Sequence, residues 1–351
     1  RDLHSFPTRR CSDLAKSPDF VLRYDVPDED FRLQAAVHRD PGHQAYVVVR
    51  LPAPASSAPV VGPRDVTLVL DRSGSMSGAP IEAARRAAIG VIARLPENDR
   101  VNVIAFDDGV ESLFDSPRRV GDVRQRARTF VEGIRDGGGT DIARALEEAL
   151  RTQKTDDRPD VLLFLTDGQS DTRAALTPAQ KAGKSVRLYS VGIGNGVDRP
   201  LLSRLARDHR GRFTFIADEA NLEREVAQLY DSISAPVLTD LELKVEGARV
   251  SGVYPTTLPD LFRGDEIRFA ARLDPEPGKN SGKIVVTARQ GKETRRLETE
   301  LVWSDASASW IGRSWAEQRV DALLEHVALE GETDELKGEV VELALAYDLV
   351  T

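Results

Sequence analysis

Three short stretches of the chain carry oxygen-bearing side chains at spacings that could hold a cation. The first is Asp71-Arg72-Ser73-Gly74-Ser75, a carboxylate and two hydroxyls at alternate positions, directly after the apolar run Val66-Thr67-Leu68-Val69-Leu70. The second, Gly137-Gly138-Gly139-Thr140-Asp141, sets a hydroxyl behind three glycines, just ahead of a helical pattern. The third, Thr166-Asp167-Gly168, closes the apolar run Val161-Leu162-Leu163-Phe164-Leu165 and brings a second carboxylate. Carboxylates and hydroxyls are hard donors of the kind that suits Mg²⁺ or Mn²⁺. Asp71, Ser73, Ser75, Thr140 and Asp167 would together give two carboxylates and three hydroxyls to an octahedral shell completed by water. Because Mg²⁺ commonly keeps several waters, one position could exchange.

Such a site needs strands and helices that bring three distant loops together, and the surrounding pattern predicts them. Between Asp65 and about Ser234, apolar strands at Val66–Leu70, Val101–Phe106, Val161–Thr166, Val186–Val191 and Arg212–Ile216 alternate with segments of helical period. Val123, Ala127, Phe130, Val131 and Ile134 share one helical face; Ile142, Ala145, Leu146, Ala149 and Leu150 share another; Leu222, Val226, Leu229, Tyr230 and Ile233 a third. Near-continuous apolar strands joined by helices imply a parallel sheet covered on both sides, the doubly wound α/β architecture. In that architecture ligands bind beyond the carboxyl ends of the strands, where strand order reverses. Asp71 and Asp167 both fall at such ends.

The flanks read differently. Strand patterns at Phe20–Tyr24, Phe31–Ala35 and Ala45–Leu51 precede the block, with Pro27 and Pro41-Gly42 as punctuation and a proline-rich linker over Pro52–Pro63. Alternation returns in Thr239–Val245, Ile267–Leu273, Lys283–Arg289 and Arg295–Trp303. The two flanks are therefore expected to form one antiparallel β domain, sheet or sandwich, into which the α/β domain is inserted. Val320, Leu323, Leu324 and Val327, then Leu336, Val340, Leu343, Ala344 and Tyr347, predict two amphipathic helices joined near Gly331 that pair or cap the β domain. The expected division is 15–63 (β strands and linker), 64–235 (α/β domain), 236–305 (remainder of the β domain) and 306–351 (helical segment).

Composition narrows the function classes. With 351 residues, 40% hydrophobic and 30% charged, the chain can bury a sizeable core. A net charge of −9, from 48 basic and 57 acidic residues, argues against nucleic acid as the main partner. No apolar run reaches the roughly eighteen residues of a membrane span. Residues 1–14 resemble the translation of a DNA-sequencing adapter and are set apart as a scar, with the single cysteine, Cys11, inside them. The natural start of the chain is therefore expected to lie elsewhere.

Enzymatic readings fit poorly. A phosphatase of the Asp-x-Asp kind would need a carboxylate where Ser73 stands, so no general acid accompanies a nucleophile. A serine hydrolase would need a Gly-x-Ser-x-Gly elbow and a histidine base. His38, His43, His209 and His326 all lie away from the motifs and read as structural or surface residues. The glycine run lacks the lysine of a phosphate-binding loop, and no strand-linked dinucleotide fingerprint is present. Among the remaining polar residues, Asp141 reads as a helix-start charge. Asp107, Asp108 and Asp171 read as solvated loop acids, Ser77 or Gly78 as the cap of the helix carrying Ile81, and Met76 as packing.

The set Asp71-x-Ser73-x-Ser75, Thr140 and Asp167, in this order on this strand and helix pattern, resembles the metal-ion-dependent adhesion site of von Willebrand factor type A domains. The resemblance covers roughly Asp65 to Ser234, and all five motif positions are filled. It implies that Ser73 and Ser75 bind the metal directly, that Asp71 and Asp167 act directly or through water, and that Thr140 joins when ligand is bound. It further implies that a Glu or Asp of a partner protein takes the open position, making the chain a non-enzymatic adhesion or protein-binding module. Asp19–Tyr24, Leu261–Asp265 and Tyr347–Thr351 are similar to segments of inter-alpha-trypsin-inhibitor heavy-chain-like proteins, which implies a cell-surface or extracytoplasmic setting and chain continuing beyond both ends. Frequent arginines and the lack of cysteines outside the scar favour a bacterial member. Two alternatives remain open: an accessory subunit of an ATP-driven remodelling or metal-insertion complex, and a scaffold whose metal is purely structural.

Overall fold

A computed structural model describes residues 30–39, 44–54, 56–59, 62–153, 158–168, 170–181, 186–194, 196–279, 281–302, 308 and 310–350. Residues 1–14, the strand expected at 20–24, the turn at 41–42, His43 and Trp303 lie outside these residues. In chain order the elements begin with β1 (Gln34–Arg39) and β2 (Ala45–Pro52). There follow β3 (Asp65–Asp71), α1 (Ala79–Arg94), β4 (Arg100–Phe106), β5 (Val110–Ser112), β6 (Arg118–Arg119), α2 (Val120–Gly133) and α3 (Ile142–Arg151). The block is completed by β7 (Asp160–Thr166), α4 (Thr172–Lys181), β8 (Val186–Ile193), α5 (Arg199–Asp208), β9 (Phe213–Ile216) and α6 (Leu222–Ile233). Last come β10 (Pro236–Glu246), β11 (Ala248–Tyr254), β12 (Leu261–Phe262), β13 (Glu266–Pro275), β14 (Ser281–Gln290), β15 (Glu293–Val302), α7 (Trp310–Glu330) and α8 (Asp334–Ala346).

The central sheet runs β5-β4-β3-β7-β8-β9, with β6 also on β4; β3, β4, β7, β8 and β9 are parallel, while β5 and β6 are antiparallel to β4. The runs of β3 and β7 are near-continuously apolar, broken in β3 only by the buried Thr67, because both of their faces are covered. Leu68 and Leu70 of β3 and Leu163 and Leu165 of β7 pack with α1, α2 and α6, whereas Val69, Leu162 and Phe164 pack with α3, α4 and α5. From β3 the chain moves outward to β4, then crosses back to β7 on the other side of β3. The reversal of strand order therefore lies between β3 and β7, whose carboxyl ends carry Asp71 and Thr166-Asp167.

The flanks share a two-sheet sandwich, of order β1-β2-β13-β11 facing β12-β10-β14-β15. Ladder pairs such as Val49 with Phe269 and Leu51 with Ile267 join chain from before the α/β block to chain from after it, so the block is inserted in the β domain. Val47, Val49 and Leu51 face Leu238, Ile284 and Val286 in its core, while Val48 and Ala270 on the opposite face of their sheet pack with Trp315 and Ala316 of α7. Helix α8 pairs with α7 through Val320, Leu323 and Val340. Leu324, expected on the buried face of α7, is exposed instead.

Local differences from the sequence reading have physical causes. The strand expected at Phe31–Ala35 lies at Gln34–Arg39, because its register is set by pairing with β2, with Val37 opposite Val47. Strand β11 escaped notice because Gly252, at φ 54°, interrupts its alternation. Helix α4 escaped because Pro178 lies inside it, a residue that normally argues against helix. The cap of α1 is Gly78, at φ 84°, with Pro80 in the first turn, and Met76 is fully buried as expected.

Candidate metal centre

Strand β3 delivers Asp71 to the bottom of the crevice, where it is fully buried. Its Oδ1 accepts from the Ser73 N–H at 2.8 Å and its Oδ2 accepts from the Thr166 hydroxyl at 2.5 Å. Beyond Asp71 the loop turns through a short 3₁₀ segment, Gly74–Met76, which lifts the second hydroxyl toward solvent: Ser73 is buried and Ser75 exposed. The two Oγ atoms are 3.0 Å apart and share a hydrogen bond, and the Ser75 hydroxyl donates to Asp167 Oδ1 at 2.9 Å. Asp167, half-buried, follows β7 directly.

The glycine loop closes the third side. Gly74 N–H donates to the Gly138 carbonyl at 3.0 Å, and Gly137 N–H donates to the Arg72 carbonyl at 2.8 Å, so the first and second loops are sewn together by main-chain bonds. Thr140 is placed by its contact with Gly168. A Cβ on Gly168 would stand 2.9 Å from Thr140 Cγ2, 3.0 Å from Thr140 Oγ1 and 3.3 Å from Asp71 Oδ2. The hydroxyl of Thr140 and the carboxylate of Asp71 thus share a cradle that the missing side chain leaves open. Asp141 caps α3, its Oδ1 accepting from the Arg144 N–H at 3.0 Å.

The electrostatics suit a cation. Burial pushes the Asp71 carboxyl above its ordinary value, against the lowering hydrogen bonds of Thr166 and Ser73, and the charge of Asp167 adds to the rise. Burial also raises Asp167, opposed by the Ser75 hydrogen bond, while Glu219 pushes it up further. None of these influences is a basic side chain, and two carboxylates disfavoured by burial face one mouth. A divalent cation at that position would relieve both. Among the described residues no three His, Cys, Asp or Glu side chains converge. The set of two carboxylates and three hydroxyls belongs to an oxygen-only site that keeps water, so it fits Mg²⁺ or Mn²⁺ without a third carboxylate.

All five residues singled out from sequence are therefore brought to one opening. Thr166, a hydroxyl at the end of β7 two residues before Gly168, joins them by donating to Asp71 and accepting from the Gly168 N–H. Asp107 is not a solvated loop acid: it is half-buried and accepts from Arg72 Nε at 2.9 Å. Asp108, though exposed, lies against Gly138 and Gly139, and Asp171 accepts from the Ala174 N–H at the start of α4. His38 and His209 are buried, away from this opening.

Fold and site together point to one class: residues 65–229 match the von Willebrand factor type A domain. Over 99% of its length it is similar to inter-alpha-trypsin inhibitor heavy chain H3 of Rattus norvegicus, 28% identical over 378 residues. It is likewise 27% identical over 383 residues to the human protein of that name. The chain spans 41% of the length of these relatives. Among solved structures, a von Willebrand factor type A protein from Catenulispora acidiphila has the same fold, with a TM-score of 0.67, 18% identity, and 93% of this chain and 89% of that one covered. The ArnB paralog VWA2 from Sulfolobus acidocaldarius follows at 0.57 and 20%, with 91% of each chain covered.

Proposed function

We propose that the chain is a divalent-metal-dependent protein-binding module, not an enzyme, in which Asp71, Ser73, Ser75, Thr140 and Asp167 hold Mg²⁺ or Mn²⁺. The observation that carries this reading is the convergence of the five side chains at the carboxyl ends of β3 and β7. When bound, the metal would supply a positive centre for an anionic oxygen, which an Asp or Glu of a partner protein provides. The chain's own residues divide the work. Asp71 and Ser73 form a buried floor fixed by Thr166, whereas Ser75, Asp167 and Thr140 form the rim that a partner can reach. The resemblance to inter-alpha-trypsin inhibitor heavy chains supports an extracytoplasmic or cell-surface setting for this binding. Among the described residues no helix is long and apolar enough to cross a membrane. The β2 to β13 pairing supports 15–63 and 236–305 as two parts of one unit, with 64–235 inserted and 306–351 packed outside.

The test uses Mn²⁺ as a paramagnetic probe. Bound Mn²⁺ is expected to enhance water-proton relaxation through an exchangeable inner-sphere water, and excess acetate, standing in for the partner's carboxylate, is expected to reduce that enhancement. A bound Mn²⁺ whose relaxation signal ignores acetate would instead support a closed, structural site.

A further inference from the structure

We propose that Asp107 is a positioning residue that ties the Asp71–Ser75 loop to the Thr140 loop and so fixes where the Thr140 hydroxyl stands. The inference rests on the metal-site reading above and names the residue that sets the spacing between two of its three loops. Asp107 begins the turn between β4 and β5. Its N–H donates to the Gly109 carbonyl at 3.0 Å, and the Gly109 N–H donates back to Asp107 Oδ1 at 2.7 Å, closing the turn on itself. The other carboxylate oxygen, Oδ2, accepts from Arg72 Nε at 2.9 Å. Arg72 lies between Asp71 and Ser73, and its main chain is held on both sides, the N–H donating to the Phe106 carbonyl and the carbonyl accepting from the Gly137 N–H, each at 2.8 Å.

The main chain of Asp107 reaches the second loop. Its carbonyl accepts from the N–H of Asp141, the residue after Thr140, at 3.0 Å. One residue therefore holds a chain neighbour of two ligands with its side chain and a chain neighbour of a third with its backbone. The adjoining residue tightens the fit. A Cβ on Gly138 would stand 3.0 Å from Asp108 Oδ2, and one on Gly139 would stand 2.3 Å from Asp108 Oδ1, so the glycine loop lies directly on this turn. Arg144 Nη1 donates to the Asp108 carbonyl at 2.9 Å and pins the turn to α3. Side chains of Arg72 and Asp107 are only 20% and 21% exposed, so their charge-assisted bond is partly shielded from water. Loops held at the right separation before the metal arrives need no ordering when it binds, which raises affinity.

The test is Asp107→Asn, because the amide replaces one of the two acceptor oxygens, each of which serves a different donor, with an NH₂ that cannot accept. Amide hydrogen exchange at Gly137 and Asp141 is measured without metal, and Mg²⁺ affinity is measured calorimetrically in the wild type, D107N, T140A and the double variant. Expected are about tenfold faster exchange at both amides and about tenfold weaker Mg²⁺ binding in D107N, with no further loss when D107N is added to T140A. Wild-type exchange at both amides, or an equal loss of affinity with and without Thr140, would overturn the proposal. An Asp71→Ala variant with wild-type Mg²⁺ affinity would sink the metal site itself, and the exchange measurement would still decide whether Asp107 ties the loops.

Discussion

Replacing Gly168 by alanine adds one methyl group at the most crowded point of the opening. The new Cβ would lie 2.9 Å from Thr140 Cγ2 and 3.0 Å from Thr140 Oγ1, well inside ordinary contact, with Asp71 Oδ2 at 3.3 Å. Gly168 has no positive φ, so alanine suits the backbone there, and the whole effect falls on these neighbours. Asp71 is fully buried and bonded to Thr166 and Ser73, so it is the neighbour least free to move. Thr140, half-buried on a loop, gives way and takes its hydroxyl with it. Overpacking of this kind costs about 1–3 kcal/mol. Charged to the metal-bound state, that is roughly 5- to 150-fold in Mg²⁺ affinity, since about 1.4 kcal/mol is tenfold. Titration calorimetry of Gly168→Ala reads this directly, and a second change makes the cause specific. Thr140→Ser removes Cγ2, the closest contact, so G168A/T140S is expected to recover much of the lost affinity. Wild-type affinity in G168A, or no recovery in the double variant, would refute the placement of Thr140 against Asp71.

Two further predictions concern the frame that carries the site. Arg187 of β8 donates to Asp260 Oδ2 at 2.8 Å and to Asp240 Oδ1 at 2.7 Å across the junction with the β sandwich, and Arg187 and Asp260 are both buried. Arg187→Ala, which leaves the Asp260 carboxylate without that partner, is expected to lower stability by about 3–5 kcal/mol, read by equilibrium denaturation. Burial pushes the Tyr189 hydroxyl above its ordinary value of 10.0, the charge of Asp260 adding to the rise, so the folded state resists its ionisation. Its contribution is therefore complete below that value and declines as pH climbs through the alkaline range. Tyr189→Phe should make the alkaline loss of stability shallower, and an unchanged slope above about pH 10 would contradict this.

Much of the architecture was legible because burial on both faces writes itself as near-continuous apolar runs. Val66–Leu70 and Val161–Leu165 could hardly be anything but central strands, and Asp71 and Asp167 stand just beyond their ends. The return of alternation after Pro236 likewise betrayed a β domain split by an insertion. What escaped was whatever depends on contact between distant residues. Asp107 and Asp108 looked like surface acids, because nothing in Phe106-Asp107-Asp108-Gly109 tells that the turn folds onto a glycine loop some thirty residues further on. Thr166 had the right chemistry and place, but its bond to Asp71 spans 95 positions of sequence and is created by the adjacency of β3 and β7. Local signals failed where tertiary context overrode them, at Pro178 within α4 and Gly252 within β11.

The proposed metal site depends most directly on Asp71. Its carboxylate is fully buried, raised by that burial and served by two donors, an arrangement that costs stability unless a cation is held there. Calorimetric titration with Mg²⁺, of the wild type and of Asp71→Asn, is the deciding measurement. Expected are a saturable one-site isotherm for the wild type, none for the variant, and a metal-free variant at least as resistant to heat as the wild type; a metal site at Asp71 requires this difference. Equal Mg²⁺ affinity in the two proteins would contradict it.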